Sequence, residues 1–325
     1  MTTTISRRAA LAGLSALAAI PARGPAHAQS GRPITLMHGF TPGANVDITA
    51  RIVAEHLSKR LGQPVVVETR PGAGGTTSAA AVARSAPDGG TLAILPSGHA
   101  VSPAMYKQLA YNAVNDFSFI SMLTENPFIL VTYPDHPAKT LADVVKAAQA
   151  DPGKLTYATA GNGTGMHLAS ELLVSMGALK IQHVPYRGSP QAITDLIAKR
   201  VDFQMDTPQL LLPFLSDGRV RAIAVTGPSR FFALPHVPTV AEGGLQGYSV
   251  TGWLGIAGPA GLPADFVQKI NAEVRAILAE PDVIQRLRAL GADVRPTTPD
   301  AFKARVTDDI AKWTRVVADA NIERI

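Results

Sequence analysis

The stretch YATAGNGTGMHLASELLVSMG, residues 157–177, passes from strand character to helix character across three glycines. A glycine-rich turn that opens a helix exposes backbone N–H groups, allows a ligand to approach closely, and adds the positive end of the helix dipole. The stretch therefore predicts a strand, an anion-binding turn and an amphipathic helix. A tight strand-to-helix turn without any ligand remains the alternative.

The glycine spacing gives weak information about which anion is bound. The sequence GNGTG, residues 161–165, does not match the G-x-G-x-x-G dinucleotide fingerprint or the G-x-x-x-x-G-K-[ST] phosphate loop, and no lysine follows it. A carboxylate fits such a turn better than a nucleotide phosphate does.

Strand and helix patterns alternate on both sides of this turn. Apolar residues at helical spacing predict a helix from about Asp47 to Leu61, and Gly62 suits its C-terminal end. Towards the C-terminus the pattern predicts three longer helices, at residues 264–280, 283–290 and 300–320. The alternation favours an α/β fold with mainly parallel sheets flanked by helices, and a ligand site beyond the carboxyl ends of the strands.

Residues 1–28 have the features of an export signal. Arg7 and Arg8 precede an apolar run, and Ala26-His27-Ala28 provides a cleavage site before Gln29. The arginine doublet is compatible with twin-arginine export, although Ala10 stands where that motif prefers Phe, so the general secretory route stays open. We expect a periplasmic mature protein.

The composition excludes several classes of protein. With 46% hydrophobic and 17% charged residues, the chain can bury a substantial core. The absence of cysteine excludes disulfides, thiolate metal sites and a cysteine nucleophile. Three of the 30 Lys and Arg residues lie in the signal, which leaves 27 basic against 25 acidic residues. This balance gives no indication of nucleic-acid binding, and no segment after residue 28 predicts a membrane span.

Several segments in order along the mature chain resemble the Bug-type receptors, the extracytoplasmic substrate-binding proteins of tripartite tricarboxylate transporters. These are GFTPGANVDITARIVAEHLSKRLGQPVVVETRPGAGG, YATAGNGTGMHLASELL, HVPYRGSPQAITDLIAKRVDFQMD, LPHVPTVAEGGLQGY and GPAGLPADFVQKINAEV.

The resemblance implies a two-lobed periplasmic-binding-protein fold that closes around a small organic carboxylate, as a Venus flytrap does. One lobe would comprise residues 29–127 plus 252–325, and the other residues 128–251. The receptor would be a monomer, need no cofactor or metal, and deliver its ligand to integral-membrane permease subunits.

The resemblance also implies ligand contacts from two loops, mainly through backbone amides and water. The matching residues in the first loop are Phe40, Thr41, Pro42, Gly43, Ala44, Asn45, Val46 and Asp47, and in the second Ala160, Gly161, Asn162, Gly163, Thr164 and His167. The family usually has further glycines at the positions of Ala44 and Asn45.

Four polar residues have a structural alternative to ligand binding. Asp47 and Asp206 suit helix capping as well as ligand contact. Ser97 follows a predicted strand and suits an ordinary turn equally well. His167 lies one turn into a predicted helix and suits packing against its neighbours.

Two other function classes are alternatives to a transport receptor. An enzyme is disfavoured because the chain has no G-x-S-x-G nucleophile elbow and no H-E-x-x-H motif, although a hydrolase or lyase site can be assembled from residues far apart in sequence. A periplasmic sensor that binds the same carboxylate and passes the signal to a partner would have identical binding chemistry.

Overall fold

The computed structural model describes residues 31–325, so the predicted export signal and its cleavage site lie outside the described residues. The strands, in chain order, are β1 (Ile34–His38), β2 (Val65–Thr69), β3 (Thr91–Pro96), β4 (Phe117–Pro127), β5 (Ile129–Thr132), β6 (Thr156–Thr159), β7 (Gln182–Pro185), β8 (Phe203–Asp206), β9 (Arg221–Val225), β10 (Thr251–Pro259) and β11 (Asp293–Val294).

The helices surround these strands. They are α1 (Asn45–Leu61), α2 (Thr76–Ala83), α3 (Gly98–Met105), α4 (Leu141–Ala150), α5 (Gly165–Met176), α6 (Ser189–Ile197), α7 (Pro208–Ser216), α8 (Ala264–Ile277), α9 (Pro281–Ala289) and α10 (Pro299–Asp319), with a one-turn 3-10 helix at Ala73–Gly75. Within residues 31–325, every helix is too short or too polar to span a bilayer.

The strands form two sheets, in the orders β2-β1-β3-β10-β4-β11 and β7-β6-β8-β5-β9. The prediction of an α/β fold with two helix-flanked sheets is confirmed. Most strands of each sheet run in one direction, and β10 and β11 in the first sheet and β5 in the second run against them. Strand β1 runs parallel to β2 and β3, and β6 runs parallel to β7 and β8. Strand β10 is antiparallel to β3 and β4, while β5 is antiparallel to β8 and β9.

The antiparallel strands are a consequence of the way the chain moves between the sheets. It leaves the first sheet after Pro127 and starts the second at Ile129, which pairs with Asp206 at the carboxyl end of β8. It returns at β10, where Leu254 pairs with Pro96 at the carboxyl end of β3. A strand that enters a sheet at the carboxyl edge of its parallel strands must run antiparallel to them. Both chain crossings therefore lie at the edges where ligand-binding loops are expected.

One hydrophobic cluster joins the two sheets. It contains Phe119 and Phe302 from the first-sheet side, Leu168 and Phe203 from the second, and Phe128 between β4 and β5. Strand β10 lies close to α10, because a Cβ atom on Gly255 would lie 2.2 Å from the Phe302 ring. This continuous packing holds the loops of both sheets in a fixed relation in this structure.

Candidate functional site

The loop after β1, residues 39–44, is held by two buried side chains. The Phe40 amide donates to His38 Nδ1 at 3.3 Å, and the Gly43 amide donates to Asp47 Oδ2 at 2.9 Å. His38 Nε2 lies 3.1 Å from the other carboxylate oxygen of Asp47, and Arg51 Nε donates to Asp47 Oδ2 at 3.0 Å. These contacts fix the loop from inside the protein.

Asp47 is therefore placed differently from the N-cap that the sequence suggests. Helix α1 begins at Asn45, and the N-cap position belongs to Ala44, whose side chain makes no capping bond. Asp47 is the third residue of the helix, and its carboxylate accepts the amide hydrogen of Gly43, the residue before the N-cap. Burial opposes the charged carboxylate, but hydrogen bonds from Arg51, the Gly43 amide and His38 lower the pKa of Asp47 to about 2.

Backbone donors remain available in this first loop. Among residues 31–325, the amide N–H groups of Thr41, Asn45 and Val46 have no hydrogen-bond partner. Thr41, Pro42 and Gly43 are exposed. The amino end of α1 therefore presents unpaired donors and the positive end of its dipole to the surface of the loop.

The loop after β6, residues 160–164, repeats this arrangement. Gly161 and Gly163 have φ angles of +124° and +74°, in the region that favours glycine. Thr164 caps α5: its Oγ1 accepts the His167 amide at 3.2 Å and donates to the Gly161 carbonyl at 2.8 Å. The Gly163 amide donates to His167 Nδ1 at 3.3 Å.

The second loop also presents unpaired donors. Within the part of the chain that the structure describes, the amides of Asn162, Thr164 and Gly165 have no hydrogen-bond partner. They lie at the amino end of α5, where the helix dipole favours an anion. The Gly163 N–H group, a predicted ligand donor, donates to His167 Nδ1 in this structure.

Ser97 lies between the two sheets at this edge. Its amide donates to the Trp253 carbonyl at 2.8 Å, whereas its hydroxyl has no hydrogen bond to any residue in the range 31–325. A Cβ atom on Gly165 would lie 3.7 Å from Ser97 Oγ. The end of β3 is thus brought close to the start of α5, as a site shared by the two sheets requires.

Asp206 makes internal contacts in this structure. The residue is 1% exposed, and its carboxylate accepts from the Thr207 amide at 2.8 Å and from Gln204 Nε2 at 2.9 Å. Burial raises the pKa of Asp206, against hydrogen bonds from Ser189 and these two groups. Helix α7 begins at Pro208 and its N-cap is Thr207, so Asp206 does not cap the helix, and a ligand contact of Asp206 stays a prediction.

Sequence reasoning missed the side chains that hold the loops from behind, namely His38, Tyr157, Glu171 and His183. The spacing of His167 and Glu171, four residues apart on α5, was a signal for one pair of them. The position of His183 one strand away could not be inferred from spacing.

Two cavities lie away from the loops. One, of 340 Å³, is lined by Arg32, Phe266 and neighbours at the amino end of β1. The other, of 460 Å³, lies between α3 and α10. Neither is lined by a residue of the loops 39–44 or 160–164. We place the candidate site at the loops, because several amide donors there have no partner among residues 31–325.

Comparison with known proteins gives a consistent result. A family model described as "Tripartite tricarboxylate transporter family receptor" matches residues 49–322. A UPF0065 protein in the tcbD-tcbE intergenic region of Pseudomonas sp. (strain P51) is 37% identical over 319 residues, which cover 97% of this chain and 95% of that protein.

Two solved structures with bound carboxylates are also similar. R. palustris Rpa4515 with adipate has a TM-score of 0.82 and 32% identity, covering 91% of this chain and 99% of that chain. MatC from Rhodopseudomonas palustris with bound malate has a TM-score of 0.77 and 34% identity, covering 89% of this chain and 99% of that chain. The resemblance found in the sequence is confirmed, and the chain belongs to the tripartite tricarboxylate transporter receptor family of extracytoplasmic solute-binding proteins.

Proposed function

We propose that this receptor captures a small organic carboxylate between its two sheets, using unpaired amides at the amino ends of α1 and α5. One observation carries the proposal: both glycine loops present N–H groups that have no partner among residues 31–325, at the edge where the chain crosses between the sheets. Anionic groups are stabilised at helix amino ends by such donors and by the helix dipole. Similarity to receptors solved with adipate and malate supports a carboxylate as the anion.

The two carboxylates of a diacid suit two sets of donors. Thr41, Asn45 and Val46 offer donors on the first-sheet side, and the second loop offers those of Asn162 and Thr164. We propose the lobe division made from the sequence, 29–127 plus 252–325 and 128–251, because the chain crosses between the sheets at Pro127–Ile129 and again before β10. Closure of the lobes would bring the two sets of donors onto one ligand.

The biological role follows from the family. The family consists of binding receptors, and we propose that this member is exported to the periplasm, by a twin-arginine-like or a general signal. There it would pass its ligand, as a monomer, to integral-membrane permease subunits. A sensor role remains the alternative, since its binding chemistry would be the same.

Thermal-shift screening of a carboxylate collection tests the proposal. A ligand at 100 times its Kd stabilises the folded protein by about 2.7 kcal/mol, so binding of adipate or malate should raise Tm. Adipamide, which has the shape of adipate without its charge, is the matched control. Stabilisation by the diamide equal to that by the diacid would contradict anion recognition.

Asn45 allows a test of a single backbone donor. It is the first residue of α1, and proline is tolerated there because the first helical N–H has no partner within the helix. This chain already starts α7, α9 and α10 with Pro208, Pro281 and Pro299. Ala44 has φ −67° and ψ 158°, which a following proline accepts.

Asn45→Pro therefore removes one candidate donor with little change to the fold, while Asn45→Ala removes only the side chain. A charge-assisted hydrogen bond is worth about 1.5–3 kcal/mol, so the proline variant should bind adipate at least about tenfold more weakly than the alanine variant. Calorimetry measures the ratio. Equal affinities of the two variants would show that the Asn45 amide does not bind the ligand.

A further inference from the structure

A group of buried and half-buried polar side chains lies directly behind the second loop. It consists of Tyr157 and Thr159 on β6, His167 and Glu171 on α5, and His183 on β7. His167 is 4% exposed, and the side chain of Glu171 is 19% exposed. Polar groups this deep in a protein are costly unless they are hydrogen-bonded, so their partners indicate their purpose.

His167 connects this group to the loop. Its Nδ1 accepts the amide hydrogen of Gly163 at 3.3 Å, and an acceptor nitrogen carries no proton. In the neutral ring the proton therefore lies on Nε2, which is 3.7 Å from Glu171 Oε1. The same Glu171 oxygen accepts the hydroxyl hydrogen of Tyr157. The carboxylate thus favours the tautomer that leaves Nδ1 free for the loop.

His183 makes the second connection. Its ring stacks on that of His167 with centroids 4.2 Å apart and planes 22° apart. Its Nε2 lies 2.7 Å from Thr159 Oγ1, and this hydroxyl oxygen accepts the Gly161 amide at 3.3 Å. The stacked rings therefore contact two of the loop glycines, one directly and one through Thr159.

The same group has the donor atoms of a metal site, since nitrogens of His167 and His183 and an oxygen of Glu171 lie within 4.8 Å of one another. The stacking argues against coordination. Ring lone pairs lie in the ring planes, and two nearly parallel rings cannot direct both lone pairs at one ion. The hydrogen bonds of His167 Nδ1 and His183 Nε2 explain the observed arrangement, whereas a shared metal ion would require His183 to move.

We propose that His167 and His183 are positioning residues that fix the Gly161–Thr164 loop, so that the neighbouring unpaired amides of Asn162 and Thr164 are set for the carboxylate. The inference rests on the proposed function and assigns a role to side chains behind the site. Holding donors in place before the ligand arrives reduces the ordering cost of binding. The Gly163 N–H group is then part of the support and is not a ligand donor.

The electrostatics of the group are consistent with this role. Burial, with a contribution from His183, lowers the pKa of His167 to about 3, and burial lowers the pKa of His183 to about 4. Burial beside Glu171 raises the pKa of Tyr157. The titratable groups that face His167 are Glu171 on its own helix, His183 on β7 and, through Glu171, Tyr157 on β6. At neutral pH both imidazoles are uncharged, as an acceptor at Nδ1 requires.

Nuclear magnetic resonance tests the support without any ligand. We expect ¹⁵N spectra of the imidazoles to show His167 as the Nε2–H tautomer, unchanged between mildly acidic and neutral pH. In His167→Gln, which places its amide near the Nε2 position, the Gly163 amide proton should move upfield as its acceptor is lost. In His167→Asn, which can place an oxygen near the Nδ1 position, the Gly163 resonance should return towards that of the parent.

Measuring the affinity of the same variants for adipate and malate then tests whether the support of the loop by His167 affects ligand binding. His167→Gln should bind at least about fivefold more weakly than His167→Asn, with circular dichroism confirming that both variants fold. The Nδ1–H tautomer in the parent, or an unchanged Gly163 resonance in His167→Gln, would overturn the positioning role. If the parent binds no carboxylate, the proposed function fails, while the tautomer and the Gly163 resonance still decide whether His167 holds the loop.

Discussion

Ser97, directly after β3, lies against Gly165, the first residue of α5. A Cβ atom on Gly165 would lie 3.7 Å from Ser97 Oγ and 3.1 Å from Phe128 Cζ. The strand ends of the two sheets thus meet beside the chain crossing at Phe128. A side chain at Gly165 would occupy the space through which the sheets approach each other.

We expect Gly165→Ala to hinder this approach without disturbing α5, because alanine is the better helix former. Overpacking of this kind costs about 1–3 kcal/mol, so adipate should bind about tenfold more weakly. Gly98→Ala is the matched control, since Gly98 is the first residue of α3 and a Cβ atom there meets nothing within 4 Å. Calorimetry and small-angle scattering make the comparison. Equal affinity and equal ligand-induced compaction in both variants would show that this contact does not limit closure.

The protein should lose stability in strong acid, because the carboxylate of Asp47 becomes protonated there. Its pKa falls from 3.8 in a model peptide to about 2 in the fold. A lowered carboxyl pKa stabilises the folded state above the unfolded pKa, and this stability is lost as pH falls from about 4 to about 2. The shift corresponds to about 2 kcal/mol as an upper figure, because the Arg51 side chain is 58% exposed and its share is screened by solvent. Urea unfolding at a series of pH values should show the loss in the parent and a flatter profile in Asp47→Asn.

Local patterns predicted several elements well. The helix predicted from about Asp47 to Leu61 matches α1, Asn45–Leu61, because apolar residues at helical spacing mark its extent and Gly62 ends it in the left-handed conformation. The glycines after Thr159 correctly marked the turn before α5. In these segments the local preference of the chain agrees with its tertiary surroundings.

The missed elements depend on distant contacts. The sequence pattern predicts no strand over GWLGIAGP in β10, since Gly252, Gly255 and Gly258 interrupt the alternation of side chains. Those glycines admit ring and aliphatic side chains from elsewhere, including Phe302 at Gly255 and Leu262 at Gly258. Strand β4 and helix α3 were also missed. The sequence predicts a site at the loops, but the contacts by which His38 and His183 hold these loops join residues whose proximity no spacing rule gives.

His99 should cause a second loss of stability in milder acid. Burial, against a hydrogen bond to the Ala113 carbonyl, lowers the pKa of His99 from 6.5 to about 4. Its Nδ1 has no partner among residues 31–325. Between these two pH values His99 is protonated in the unfolded chain and neutral in the folded protein, so the free energy of unfolding falls as pH falls.

The expected contribution of one such histidine is about 1.4 kcal/mol per pH unit. His99→Phe keeps an aromatic ring against Tyr111 and Phe117, which surround His99 now, and should reduce the slope of unfolding free energy against pH by about this amount. Denaturation across the interval between the two pKa values measures it. The slope that remains is assigned to other groups, His167 and His183 among them. An unchanged slope in the variant would mean that His99 is already protonated in the fold.

Gly163 provides the most direct test of the second loop. Its φ angle is +74°, whereas proline fixes φ near −65° and has no N–H group to donate to His167. Gly163→Pro must therefore change the path of the loop and release the contact with His167.

Gly163→Asn is the matched control, because asparagine tolerates a left-handed backbone and its Cβ atom would meet Met105 only at the ordinary distance of 3.7 Å. We expect the proline variant to bind adipate at least about tenfold more weakly than the asparagine variant, because the altered loop would carry the amides of Asn162 and Thr164 away from the carboxylate, and each charge-assisted hydrogen bond is worth about 1.5–3 kcal/mol. Helix α5 and strand β6 should persist in the circular dichroism spectra of both variants, since the substitution lies between them. If a well-folded Gly163→Pro protein binds carboxylates as tightly as Gly163→Asn does, the loop is a turn that joins β6 to α5 and has no part in the site.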